Sequence, residues 1–194
     1  MSYIHLKQQY YTQGPYKVTS IREEDMLVIK QWRNEQMDVL RQNHLLTDED
    51  QLRYFSNVIL PSFSNPTTRI ILFSFFWNEE LIGYGGLTNI DWMNKRAEIS
   101  YLVKTDRSKE ANIEQYKEDF STFLRLMRRV AFNDLELNRL YTETFDIRPL
   151  HIKILENNGF LYEGRMKEHV LIDGRFIDSL LHGCIKGNFE HVEG

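Results

Sequence analysis

The sequence predicts an α/β fold on a mixed sheet, and three observations carry that expectation. A pair of helical stretches is followed by three consecutive strand-like ones. The hydrophobic period then changes from two to about 3.6 residues over 112–133, which calls for a crossover helix, and the chain closes as strand, helix and hairpin.

Taken in order, residues 16–21 alternate and are β-branched, which suits a short strand. A helix over 23–36 places Met26, Ile29 and Trp32 or Arg33 at helical spacing. Thr47 is the expected N-cap of a second helix, with Asp50 three residues on in a capping box whose reciprocal acid is more often Glu or Gln; residues 61–66, bounded by prolines, close it. Residues 68–77 are almost wholly apolar, as in a strand buried on both faces, and 78–80 turn into a strand over 81–92. In 96–103 alternation puts Ala97, Ile99, Tyr101 and Val103 on one face and Glu98 and Ser100 on the other. Over 112–133 Phe120, Phe123, Leu124, Met127 and Ala131 form one helical stripe. A strand over 138–145, a helix over 148–158 stopped by Gly159, and a hairpin of 160–171 with 175–185 across Asp173-Gly174 complete the order β-αα-βββ-α-β-α-ββ. Gly83, Gly85 and Gly86 lack a phosphate-binding spacing and read as a bulge or a close backbone approach.

With 194 residues, 42% of them apolar and 27% charged, the chain has enough core to fold without a disulfide or metal. Twenty-four basic against twenty-eight acidic residues give −4, with signs mixed along the chain, so no nucleic-acid partner is expected. The six His and the lone Cys184 show no zinc spacing, no metal is expected, and Cys184 reads as a small buried residue. The first residues lack the apolar stretch of a secretory signal, and the longest apolar run falls short of the ~20 residues of a membrane span, so the expected location is the cytoplasm, with no membrane partner. Residues 1–15 read as an N-terminal extension, 16–186 as a single domain and 187–194 as a C-terminal tail.

Several strings in that order resemble the GNAT acyltransferases, in particular the subgroup of ribosomal-protein alanine, spermidine and amino-sugar acetyltransferases. They are Ile21-Arg22 with Asp25, Trp32-Arg33-Asn34, the segment 81–87, Ala97-Glu98-Ile99-Ser100-Tyr101, Ala131-Phe132 with 135–141, Asn158-Gly159-Phe160 and 173–178. The resemblance implies a GNAT fold: a mixed, mostly antiparallel sheet of about seven strands, splayed in the middle, with helices on both faces. It implies acetyl-CoA as cosubstrate, its pantetheine pairing with the backbone of Tyr101, Leu102 and Val103 between the strands 96–103 and 138–145, and a small-molecule amine entering from the other side. A homodimer is left open.

The family's diphosphate loop, Gln/Arg-x-x-Gly-x-Gly/Ala, falls by the same resemblance at 115–120, where Glu118 and Phe120 replace the small residues. Gln115, Lys117 and Arg148 are the remaining cofactor-binding candidates, with Arg107 and Lys109 as further bases for a rebuilt site. Arg148 and His151 stand where relatives often carry Asn and Ser, and Leu155 where many carry the Tyr that protonates the thiolate. Glu98 is the candidate base for the substrate ammonium, although a carboxylate paired with Arg96 is an equally good reading. A two-residue turn at Asp173-Gly174 sets His169 opposite Asp178, as an acid–base candidate or a structural cross-strand pair. Arg33, Arg41 and Tyr84 are the acceptor-side candidates. The implied function is N-acetylation of a primary amine, with a nucleotide-linked amino sugar of surface-glycan synthesis as the first reading. The alternatives are a noncatalytic GNAT-like binding or regulatory module, and a protein N-terminal or polyamine acetyltransferase.

Overall fold

In the computed structural model, which describes residues 1–189, a single eight-stranded sheet organises the chain. Its strands are β1 (Tyr10–Gln13), β2 (Tyr16–Ser20), β3 (Ile71–Trp77), β4 (Glu80–Asp91), β5 (Arg96–Val103), β6 (Arg139–Phe145), β7 (Leu161–Ile172) and β8 (Arg175–Ile185), in the spatial order β1-β2-β3-β4-β5-β6-β8-β7. The helices are α1 (Met26–Glu35), α2 (Asp48–Tyr54), α3 (Leu60–Ser62), α4 (Ile113–Arg129), α5 (Pro149–Asn157) and α6 (Lys186–Phe189). Every strand pair is antiparallel except β5 with β6.

The element order is the expected one with a strand added at the start and the short helices α3 and α6 besides. The segment before residue 16 is no loose extension: β1 pairs with β2, and Tyr3 and Tyr11 are buried in the core. The Tyr3 hydroxyl accepts the Leu72 amide of β3 at 2.9 Å, so this first aromatic stretch is tied into the sheet. Of the expected C-terminal tail, residues 187–189 finish α6, and 190–194 lie outside the described residues.

Alternation along the strands builds two covered faces. On one, Phe75 and Tyr101 meet Phe123 of α4 with ring centroids 5.3 and 4.9 Å apart. On the other, Leu72, Tyr84 and Ser100 face Ile29 of α1 and Gln51 and Tyr54 of α2 across a cavity of about 310 Å³. Gly86 is required where β4 crosses β3: its φ is +150°, and a Cβ there would collide with the Ile71 carbonyl. Trp32 is buried, as its place on the apolar stripe of α1 predicts.

Two features position the site. β5 and β6 pair only through Arg96–Arg139, Ala97–Leu140 and Glu98–Tyr141, and beyond that point the two strands diverge. The second is α4, which starts at Ile113, as the helical period over 112–133 predicts, and so leaves no room for the loop that the resemblance implies. Residues 115–120, read as a phosphate loop, form its first turns. No glycine interrupts them, Glu114 favours the helix dipole, and Tyr116, Phe120, Phe123 and Met127 make a buried stripe at helical spacing.

The hairpin turns at Asp173 and Gly174, both with positive φ, and pairs Ile172 with Arg175 as expected. Its ladder then slips: between the pairs Val170–Ile177 and Met166–Ser179, three residues of β7 stand against Asp178 alone, with Glu168 at φ +50°. Asp178 therefore accepts the Glu168 amide at 2.8 Å and Arg165 at 2.7 Å, and His169 does not pair with it.

Candidate active site

The diverging strands leave a cavity of about 230 Å³ that passes through the sheet, lined on one side by Arg33, Arg41 and Glu143 and on the other by Phe120, Arg148 and His151. Its β5 wall offers free backbone. Lys104 donates to the Ile82 carbonyl, in register with Gly83–Val103, so the hydrogen-bonded pairs with β4 are 84–102 and 86–100. The amides and carbonyls of Ile99, Tyr101 and Val103 therefore face the gap, whereas those of Leu102 are spent on β4. The Val103 carbonyl accepts Gln36 Nε2 at 2.9 Å. That leaves the Ile99 and Tyr101 edge for an extended ligand.

At the fork, where the last β5–β6 pair forms, Glu98 is 7% exposed. Its Oε2 accepts Asn89 Nδ2 at 2.7 Å and its Oε1 accepts Arg41 Nη2 at 2.8 Å. The same Arg41 nitrogen lies 2.8 Å from Oε2 of Glu143 on β6. Arg96, the partner expected for Glu98, instead reaches Asp91. Arg41 comes from the loop between α1 and α2, and Asn34 holds that loop: its Nδ2 donates to the Leu46 carbonyl, and its Oδ1 accepts the Leu46 amide and Gln42 Nε2. The Trp32-Arg33-Asn34 string thus divides its work between core, cavity wall and loop staple. Arg33 donates to the Tyr84 hydroxyl at 2.7 Å and to Gln42 at 3.1 Å, between the acceptor-side cavities. His169, 44% exposed in its side chain, sits 3.6 Å from Glu143 across the hairpin. Two carboxylates thus share one guanidinium at the fork.

The α4 side of the gap is aromatic. Tyr101 stacks on Phe120 at 4.6 Å, and Phe120 on His151 at 4.1 Å. Arg148 Nη2 donates to the Tyr116 hydroxyl at 3.1 Å, which lies 2.8 Å from His151 Nδ1. Burial, with the nearby charges of Arg148 and His182, holds His151 well below the ordinary imidazole range, so it is neutral near pH 7. Burial also raises the Tyr116 phenol, against the pull of Arg148. Tyr116 then donates to Nδ1, and the His151 Nε2–H is left toward the cavity. Burial likewise raises Tyr101, whose hydroxyl has no hydrogen-bond partner.

Residues 18–181 match the family model described as an acetyltransferase (GNAT) domain. The chain belongs to the GNAT acetyltransferase family. As a GNAT domain it is an acyltransferase acting on amino groups. Its fold is similar to solved structures of the spermidine/spermine N-acetyltransferase SpeG from Vibrio cholerae. A mutant form has a TM-score of 0.76 at 16% identity, over 94% of this chain and 100% of that one. The complex of that enzyme with CoA and spermine has a TM-score of 0.77 at 16% identity, over 92% and 99%. A dodecameric form gives 0.75 at 16%, over 94% and 100%.

GNAT domains take acyl-CoA, and the residues here suit one half of that molecule. The free edge of β5 suits its extended amide-bearing arm. For the diphosphate there is no loop: the amides of residues 117–120 are committed within α4. The bases named for a rebuilt site are engaged as well. Arg107 holds the buried carboxylate of Asp119 through bonds of 2.7 and 3.0 Å, Lys109 pairs with Asp106, and Lys117 pairs with Glu114. Gln115 donates to Asp119 and to the Tyr16 hydroxyl, and Glu118 pairs with Arg125.

Of the residues singled out in the sequence, Glu98, Arg33, Arg41, Tyr84 and Tyr101 gather around the gap with Arg148, and His169 approaches it through Glu143. Gln115 and Lys117 belong to the scaffold of α4. Glu143, Asn89 and Tyr116 were not legible as site residues. Glu143 could have been reached by counting two residues on from Tyr141, had the parallel register with Glu98 been known. Among the described residues no group of three potential metal ligands occurs, and no helix is long and apolar enough to cross a membrane.

Proposed function

We propose that this chain transfers an acyl group from a thioester to a primary amine that carries positive charge, with polyamines as the favoured acceptor class. One observation carries this reading: Glu98 and Glu143 meet at the strand fork with a single half-exposed guanidinium between them. An ammonium group can take the place of Arg41 Nη2, satisfying both carboxylates with its own hydrogens. Glu98, nearer the fork, then accepts the proton that must leave before nitrogen has a lone pair for attack. Amides of the β5 edge polarise the thioester carbonyl. His151 Nε2–H, four residues before Leu155 and on the same helical face, takes the place of the missing tyrosine: it passes its proton to the departing thiolate as Nδ1 takes the Tyr116 proton, and the phenolate so formed lies against Arg148.

The similarity to a spermidine N-acetyltransferase fold weighs in the same direction. A nucleotide-linked amino sugar is less well served. Its diphosphate needs several free cations on the acceptor side, and of the two arginines there Arg41 is already neutralised by two acids, which leaves Arg33, held on Tyr84 and Gln42, alone. The test is an acetyl-thioester assay with free-thiol detection on a matched panel of spermidine, an amino-sugar nucleotide and an alanine-terminated peptide. Polyamine turnover at least tenfold above the others is expected; preference for the sugar nucleotide would return the reading to glycan synthesis.

A further inference from the structure

Resting on the transfer reading above, we infer that this chain recognises its acyl donor through the pantetheine arm alone, with the nucleotide diphosphate adding nothing to affinity. Three observations lead there. The peptide groups of Ile99 and Tyr101 face a gap that no strand fills, and an unpaired strand edge binds an extended chain of amides by adding it as a further half-strand. The gap also has an outlet. The cavity at the fork and a second one of about 430 Å³ share Val39, Arg148 and His151, so an arm that enters beside Thr105 and Ser108 reaches Glu143 along one continuous wall.

At that outlet, however, the family's loop of open amides is absent. At residues 117–120 α4 presents completed helix, and beneath it lies the carboxylate of Asp119, 0% exposed, which takes both arms of the Arg107 fork. Arg107 is further held over the Trp77 ring at 5.2 Å. The outlet carries Glu35 and Asp38 beside Lys109 and Arg148, and Lys109 is paired with Asp106. Arg148 is the one nearby cation without a carboxylate partner among the described residues, and it is turned inward onto Tyr116. A diphosphate brought here gives up its hydration for at most one charge-assisted bond, and only by drawing Arg148 off Tyr116.

The experiment is calorimetric titration of the full chain with CoA, with pantetheine and with 3′-phosphoadenosine 5′-diphosphate, followed by transfer assays with acetyl-CoA and S-acetylpantetheine. Dissociation constants for CoA and pantetheine within about threefold of each other, no displacement of CoA by millimolar 3′-phosphoadenosine 5′-diphosphate, and kcat/KM values within the same factor are expected. CoA binding a hundredfold tighter than pantetheine overturns the inference. If Arg148→Gln then abolishes that advantage, the diphosphate site lies at Arg148. Failure of both thioesters to acylate any amine while both arms still bind equally removes the transfer reading and leaves the arm-only recognition standing. Failure of both arms to bind removes the two together.

Discussion

Glu98 and Glu143, on strands that separate immediately beyond the first of them, accept hydrogen bonds from the same Arg41 nitrogen at 2.8 Å each. Among the described residues, neither carboxylate has another basic side chain within 4 Å except the half-exposed His169, 3.6 Å from Glu143. If Arg41 holds the position of a substrate ammonium, Arg41→Gln should lower the KM for a polyamine about fivefold and leave kcat little changed. It should also cost about 1–2 kcal/mol of stability, less than for a fully buried pair because the Arg41 side chain is half solvent-exposed. Steady-state kinetics with spermidine and urea unfolding check the two effects; a raised KM would make Arg41 part of the acceptor's own binding site.

Glu98→Gln preserves shape and the Asn89 contact but removes the proton acceptor. Turnover at neutral pH should fall about a hundredfold. The loss should shrink as pH rises toward the amine's own pKa of about 10, where free amine no longer has to be generated. A deficit that stays constant from pH 7 to pH 10 would assign Glu98 to binding rather than proton transfer.

Glu118→Gly restores the glycine that the family places in its diphosphate loop. Here position 118 lies inside α4 with its carboxylate on Arg125, and glycine inside a helix is about 1 kcal/mol worse than alanine. The expected outcome is a stability loss of that order with no tightening of CoA binding. Tighter binding would mean that the start of α4 unwinds to form a loop.

Tyr101→Phe tests the aromatic column. The hydroxyl is fully buried without a partner, and removing an unsatisfied polar group should raise stability by about 1 kcal/mol while the ring keeps its stack on Phe120. Destabilisation on urea unfolding would show that the hydroxyl is hydrogen-bonded in solution, for example by water.

What could be read from the sequence was whatever local chemistry decides. The Thr47–Asp50 capping box forms in both directions, the Asp173-Gly174 turn has the positive φ values its residues favour, and the alternation in 96–103 places Glu98 as expected. What could not be read depends on chain-distant register. Glu143 joins Glu98 only because β6 runs parallel to β5 in one particular alignment, and Arg41 arrives on a loop fixed by Asn34. The His169 expectation failed through a bulge, since a slip of two residues carried the ring away from Asp178 and toward Glu143. The missing glycines were visible at 118 and 120, but the aromatic stripe of α4 that replaces the loop shows only once Tyr116 and Phe120 are seen packed on Tyr101 and His151.

The buried imidazoles set the acid side of stability. Burial lowers His151, aided by Arg148 and His182, and burial lowers His182 against the opposing pull of Glu156. Below the ordinary histidine value near 6.5 the unfolded chain takes up protons that the native state refuses, so stability falls as pH drops through that value. The loss continues as pH falls for as long as each of these histidines stays neutral in the native state. The carboxylates held low by their partners, among them Asp50, Asp91, Asp178 and Glu163, act in the opposite part of the range. Their contribution is present above the ordinary carboxylate values near 4 and is lost only below them. Urea unfolding at pH 7.5 and at pH 5.2 should therefore show a marked loss on the acid side. His151→Gln, which keeps an acceptor for Tyr116 but does not titrate, should remove about half of that loss. An unchanged dependence in the variant would mean that His151 is protonated in the folded protein, and Tyr116 could not then donate to its Nδ1.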